Sequence, residues 1–91
     1  MNKQELVREL ARRSDLPQKT VRDVLDTVLE EITLILEDGQ SYNQTGFGTF
    51  KPEVKKERVS YNPALGKRML LPVSRKVVFR PSDRLKRRIN E

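Results

Sequence analysis

The chain opens on two stretches with helical periodicity. Leu6, Val7, Leu10 and Ala11 fall at spacings that place apolar side chains on one helix face. Asn2 stands where an N-cap belongs, and Glu5 follows three residues on, as in a capping box. Ser14-Asp15-Leu16-Pro17 breaks the pattern, and Pro17 suits the first turn of a new helix. Val21, Val24, Leu25, Val28, Ile32, Ile35 and Leu36 then keep an i, i+3, i+4, i+7 stripe for about five turns. Gly39 lies where a C′ glycine ends a helix. The spacing predicts helices over residues 3–13 and 18–38, paired as a hairpin with one apolar face.

Beyond residue 40 the pattern changes. Gly46-Phe47-Gly48 sets an aromatic between two glycines, with Phe50 shortly after. Glycines beside a sheet mark a bulge or a close backbone approach. One reading is a tight hairpin anchored by Phe47 and Phe50; the other is a phosphate-binding turn, for which a lone GxG is weak evidence. From 51 to 80 the sequence is strand-like, yet Lys51, Lys55, Lys56, Arg58, Lys67, Arg68, Arg75, Lys76 and Arg80 run through it against two acids, Glu53 and Glu57. Tyr61-Asn62-Pro63-Ala64-Leu65-Gly66 at its centre is a turn sequence. This stretch is too polar for a buried sheet and predicts a protruding two-stranded arm over about 52–76. About twelve residues a side reach roughly 35–40 Å at about 3.3 Å per residue, enough to follow a duplex groove. Val77, Val78 and Phe79 return as an apolar strand. Ser82 caps a last short helix in which Leu85 and Ile89 are the expected apolar contacts.

Composition sharpens this picture. The chain has 91 residues, 35% hydrophobic and 35% charged, with no Cys and no His. Disulfides, thiolate metal sites and the commonest general base are all missing, which argues against an enzyme. The clustered carboxylates Glu30-Glu31 and Glu37-Asp38 read as a solvated helix surface. A domain this small and apolar-poor is marginal alone, and oligomerisation is the remaining device. No cofactor or small-molecule substrate is expected. No apolar run spans a membrane and the N-terminus lacks the apolar core of a signal peptide, so an intracellular protein is expected.

The net charge of +6 is divided unevenly. Residues 1–40 hold six basic and nine acidic side chains; residues 41–91 hold thirteen and four. The basic half is where a polyanionic partner belongs. A helix-turn-helix reading of the first half fails, because a recognition helix needs basic and amide side chains. The second helix carries Asp23, Asp26, Glu30, Glu31, Glu37 and Asp38. RNA binding is disfavoured by the shortage of stacking platforms: Phe47, Phe50 and Phe79 read as core. A protein-interaction module using the acidic helical face is a further alternative, which would not shift plain duplex DNA in a gel.

Several motifs together resemble the HU/IHF family of DNA-bending proteins. They are Met1-Asn2-Lys3 opening a helix, Gly46-Phe47-Gly48-Thr49-Phe50, Asn62-Pro63 with Gly66, Pro72, and Phe79-Arg80-Pro81 before Leu85-Lys86. The resemblance covers the whole chain. It implies an α+β fold: an intertwined dimer with a helical base, a small antiparallel sheet and two extended β-ribbon arms. Residues 1–39 would form the helical dimerisation part, 40–80 the sheet with its arm, and 81–91 the C-terminal helix of a single domain. It implies bending and compaction of double-stranded DNA with little sequence specificity, arms in the minor groove and Pro63 as the intercalating wedge. A sequence-preferring IHF-like factor is the alternative. The DNA-binding set implied is Lys3, Gly46, Gly48, Lys51, Lys55, Lys56, Arg58, Tyr61, Asn62, Pro63, Lys67, Arg68, Arg75, Lys76, Arg80, Arg84 and Lys86. The dimer core implied is Val28, Ile32, Phe47, Phe50 and Phe79. The partner is a second copy or a paralogue, and the setting a nucleoid in the cytoplasm or a phage-infected host. Four departures bear on the arm tip and on affinity: Tyr61 replaces the usual arginine, Ser60 a glycine, Leu65 a threonine, and Ser82-Asp83 a Gly-Lys pair.

Overall fold

The computed structural model describes residues 1–55, 58–62, 66–71 and 74–91, with side chains described at 1–54, 66 and 74–91. The elements are α1 (Lys3–Ser14), α2 (Gln18–Glu37), β1 (Tyr42–Gln44), β2 (Gly48–Lys55), β3 (Arg58–Asn62), β4 (Lys67–Leu71), β5 (Ser74–Pro81) and α3 (Asp83–Asn90). The expected α+β class forms, helices first and antiparallel strands after. Two compact units result, residues 1–34 and 35–91. Among the described residues no helix is long and apolar enough to cross a membrane.

In the first unit local chemistry sets the helix ends. The Asn2 Oδ1 accepts the Glu5 N–H at 2.9 Å, the forward half of the capping box. α1 ends at Asp15, in the left-handed conformation at φ 56°. The Asp15 and Leu16 N–H groups both turn back to the Ala11 carbonyl. Pro17 stands just before α2 rather than within its first turn, and its carbonyl accepts the Val21 N–H at 3.2 Å. A residue without an N–H fits there, since no helical acceptor precedes it. Val7, Ala11 and Val21 are buried, with Leu25 packed against them. Leu10, Leu16, Val24 and Val28 stay 38–58% exposed. Together with Val21 and Leu25 they line an open apolar groove of about 290 Å³.

The Glu9 carboxylate on α1 is clamped by two arginines. Arg12 donates from Nε at 3.1 Å and from Nη2 at 2.5 Å, and Arg13 from Nε at 2.9 Å. These hydrogen bonds pull its pKa down from 4.5 to about 2. A depressed carboxylate contributes its stability above the unfolded pKa and loses it as pH falls through the folded value. Glu9→Gln is therefore expected to melt below wild type at neutral pH. The gap should close between about pH 4.5 and pH 2 in paired melting curves. A gap that persists at pH 2 would show that the clamp is not its source.

In the second unit the end of α2 is closed by Gly39 at φ 80°. Its N–H meets the Leu36 carbonyl at 3.0 Å, and the Gln40 N–H meets the Ile35 carbonyl at 3.1 Å. This is a Schellman arrangement, which needs a residue at positive φ and so favours glycine. Gly46, at φ 79°, turns the chain between β1 and β2, and the Phe47 N–H bonds the Gln44 carbonyl at 3.0 Å. The three-stranded antiparallel sheet has the order β1-β2-β5, and β3 and β4 pair as a separate two-stranded ribbon. β1 pairs with β2 only from Tyr42–Phe50 to Gln44–Gly48. β2 and β5 continue alone to Lys55–Ser74. Pro52 sits beyond the reach of β1, on a strand edge that needs no donor there.

The Phe79 ring lies 4.9 Å from Phe50 and 5.4 Å from Phe47. The Ser82 N–H bonds the Phe47 carbonyl at 2.9 Å, and the Ser82 Oγ caps α3 by accepting the Leu85 N–H at 3.1 Å. Leu85 is half-buried. Ile89 departs from expectation: it is 73% exposed, being in the last turn of an eight-residue helix.

Candidate nucleic-acid interface

Opposed residues of an antiparallel pair share a face, and successive residues alternate between faces. The unbroken register of β2 with β5 therefore sorts the arm root into two surfaces. One carries Phe50, Pro52 and Val54 with Val77 and Phe79; the other carries Thr49, Lys51 and Glu53 with Lys76, Val78 and Arg80. The sequence pattern gave the arm no apolar face. At its root that expectation is corrected: Phe50, Pro52, Val54, Val77 and Phe79 share one face, with Arg75, opposite Val54, as the one cation on it.

On the cationic surface Glu53 opposes Lys76, with Nζ 3.8 Å from the carboxylate. An exposed pair of this kind is worth little, about 0–1 kcal/mol. Lys51 and Arg80 flank it, both exposed. At the far end of the sheet Arg84 lies across the β1–β2 turn, its Nη1 3.4 Å from where a Cβ on Gly46 would stand. Lys86, Arg87 and Arg88 are exposed on α3.

The predicted residues are not all gathered here. Lys3, on α1 in the first unit, pairs with the Asp26 carboxylate at 2.6 Å. Gly48 is buried beneath the Phe79 ring. Arg75 lies opposite Val54, on the apolar face, and donates from Nη1 to the Glu37 carbonyl at 3.0 Å. For Lys55, Arg58, Tyr61, Asn62, Lys67 and Arg68 the backbone alone is described, while Lys56 and Pro63 lie outside the described residues. In the ribbon Tyr61 is opposite Arg68 and Asn62 is opposite Lys67, and Gly66 has φ 64°. The approach of Arg84 to the Gly46 turn had no local signal in the sequence. The face-sorting of the arm root did have one, the alternation in Phe50-Lys51-Pro52-Glu53-Val54.

The fold and this surface define an α+β protein with a three-stranded sheet that bears a cationic face, and a separate two-stranded ribbon. The model of the bacterial DNA-binding protein family matches residues 1–90. The chain belongs to that family, the HU/IHF family whose motifs it carries. It is 36% identical over 90 residues to the DNA-binding protein HU-beta of Pseudomonas fluorescens, covering 99% of this chain and all of that one. It is 33% identical over 89 residues to integration host factor subunit alpha of Pseudoalteromonas translucida, covering 98% of this chain and 90% of that one. Among solved structures it resembles an Anabaena HU–DNA cocrystal structure with a TM-score of 0.87 and 29% identity, over 98% of this chain and 97% of that one.

Proposed function

We propose that this chain is an HU-type architectural protein that binds double-stranded DNA with little sequence preference and bends it. The observation that carries this reading is the cationic sheet face of Lys51, Lys76 and Arg80, on strands that flank in sequence a paired ribbon containing Arg58, Lys67 and Arg68. The likeness to an HU protein solved with DNA, at a TM-score of 0.87, supports it. The partner is a second copy of the chain, covering the apolar stripe of α2 that includes Val28 and Ile32. The setting is the cytoplasm, on the nucleoid, or the host cytoplasm if the chain is phage-encoded.

Mechanistically, Lys and Arg neutralise phosphates and release counterions, so affinity falls steeply with salt. Bending a site of about 20–30 base pairs costs on the order of 1–6 kcal/mol. Contacts made along the wrapped arms offset that cost. Pro63 at the ribbon tip unstacks a base step as an apolar wedge, with Tyr61 stacking on the sugar or base beside it. HU-like rather than IHF-like behaviour means near-equal affinity for unrelated duplexes in competition.

The test is Pro63→Ala, read by energy transfer between labelled duplex ends and by titration at two salt concentrations. The expected result is a large loss of bending with affinity changed less. Bending equal to wild type would remove the wedge role, and failure of the wild type to bind duplex DNA would remove the function itself.

A further inference from the structure

We propose that Arg75 is a positioning residue that fixes how the arm leaves the sheet, and that it does not bind phosphate. This rests on the DNA-bending reading above and refines it.

Arg75 stands on the wrong face for phosphate. It shares its surface with Val54, Val77 and Phe79, while Lys51, Lys76 and Arg80 stand on the opposite one. A single duplex laid on the cationic surface meets those three side chains and not Arg75.

Its guanidinium is also already engaged, at the end of α2. The last carbonyls of a helix have no intrahelical donors. Here the Gln40 N–H satisfies Ile35 and the Gly39 N–H satisfies Leu36. The Glu37 carbonyl, next along, takes its bond from the Arg75 guanidinium at 3.0 Å, across 38 residues of sequence. A cation is also favoured where the helix dipole ends.

Location turns this bond into a device. Arg75 is one register position from Lys55–Ser74, the last pair of β2 with β5. Between Lys55 and Ser74 in the chain, β3 and β4 pair as a two-stranded ribbon, with no third strand on it among the described residues. A side chain that ties the first residues of β5 to the last turn of α2 limits the swing of the ribbon at its root. Its planar fork holds direction as well as distance, which a lysine ammonium does not.

The experiment compares Arg75→Gln with Lys76→Gln, its neighbour on the other face. Affinity for a plain duplex is measured across salt concentrations, together with end-to-end energy transfer. Each phosphate no longer neutralised by the protein lowers the log–log salt slope by about 0.9. The expected result is an unchanged slope with reduced transfer for Arg75→Gln, and a lowered slope for Lys76→Gln. Arg75→Lys, which keeps charge and donor but not the fork, should recover only part of the transfer. A slope lowered by about 0.9 in Arg75→Gln, with full bending, would overturn the assignment while leaving the DNA-binding function standing. No duplex binding by the wild type would remove both. Should Arg75→Gln fail to fold, the Arg75 guanidinium N–H resonances of labelled wild-type protein decide instead. They should keep their position and slow exchange when duplex is added. Displacement of those signals would overturn the proposal.

Discussion

Val28→Asp is expected to remove the cooperative thermal transition of this protein at micromolar concentration, with circular dichroism as the readout. The unit formed by residues 1–34 buries only Val7, Ala11 and Val21, far too little for independent stability in so short a chain. Val28 is 46% exposed in the protomer and lines the open apolar groove with Leu10, Leu16 and Val24. In a dimer that covers the groove, an aspartate at 28 is buried without a partner. Such a charge costs several kcal/mol, a large part of a total stability of about 5–15 kcal/mol. A protomer whose groove stayed open to water would respond differently. Substitution there would cost less than about 1 kcal/mol, mostly through helix propensity, and the melt would barely move. Wild-type protein supplies the companion measurement. Its melting temperature should rise with protein concentration, because association stabilises by mass action. A concentration-independent melt combined with a mild Val28→Asp would refute the dimer.

The parts of this fold legible in the sequence are those decided within a few residues. Asn2, Gly39 and Ser82 end or begin helices through bonds to N–H and carbonyl groups close by in the chain. Their residue types alone therefore locate the ends closely. The arm was legible as a basic stretch, and β3 does pair with β4 within it. What composition hid was the sorting of the arm root. Counted as a block, residues 50–54 and 75–80 are merely basic; taken in register, Lys51, Lys76 and Arg80 fall on one face and Phe50, Pro52, Val54, Val77 and Phe79 on the other. Arg75 then falls on the side opposite to its neighbour Lys76. Ile89 shows the converse limit. Its i, i+4 spacing from Leu85 names a side of the helix but not what that side meets, and 73% of it faces solvent. The interface inherits the same limit: residue type proposes a phosphate partner, and pairing decides which face presents the side chain.

Gly48→Ala is expected to be among the most damaging single-methyl changes in the chain. Gly48 has an ordinary φ, so an alanine meets no conformational objection there. The obstacle is space. An added Cβ would stand 2.6 Å from the Arg80 carbonyl oxygen and 2.6 and 2.8 Å from two carbons of the Phe79 ring. Neither neighbour yields easily. The carbonyl belongs to the strand paired with β2, and the ring is packed against both Phe47 and Phe50. Overpacking of this kind costs about 1–3 kcal/mol. At about 4–8 °C per kcal/mol for a domain of this size, melting should fall by roughly 5–20 °C. Gly39→Ala is the control, since it has φ 80° but nothing within 4 Å of the new Cβ. Its cost is conformational alone, about 1–2 kcal/mol. The background Phe79→Leu separates the two obstacles at Gly48, because it removes the ring and leaves the carbonyl. There Gly48→Ala should cost less than in wild type without becoming neutral. Equal costs in both backgrounds would place the whole clash on the backbone, and the aromatic cluster would then have no part in requiring glycine.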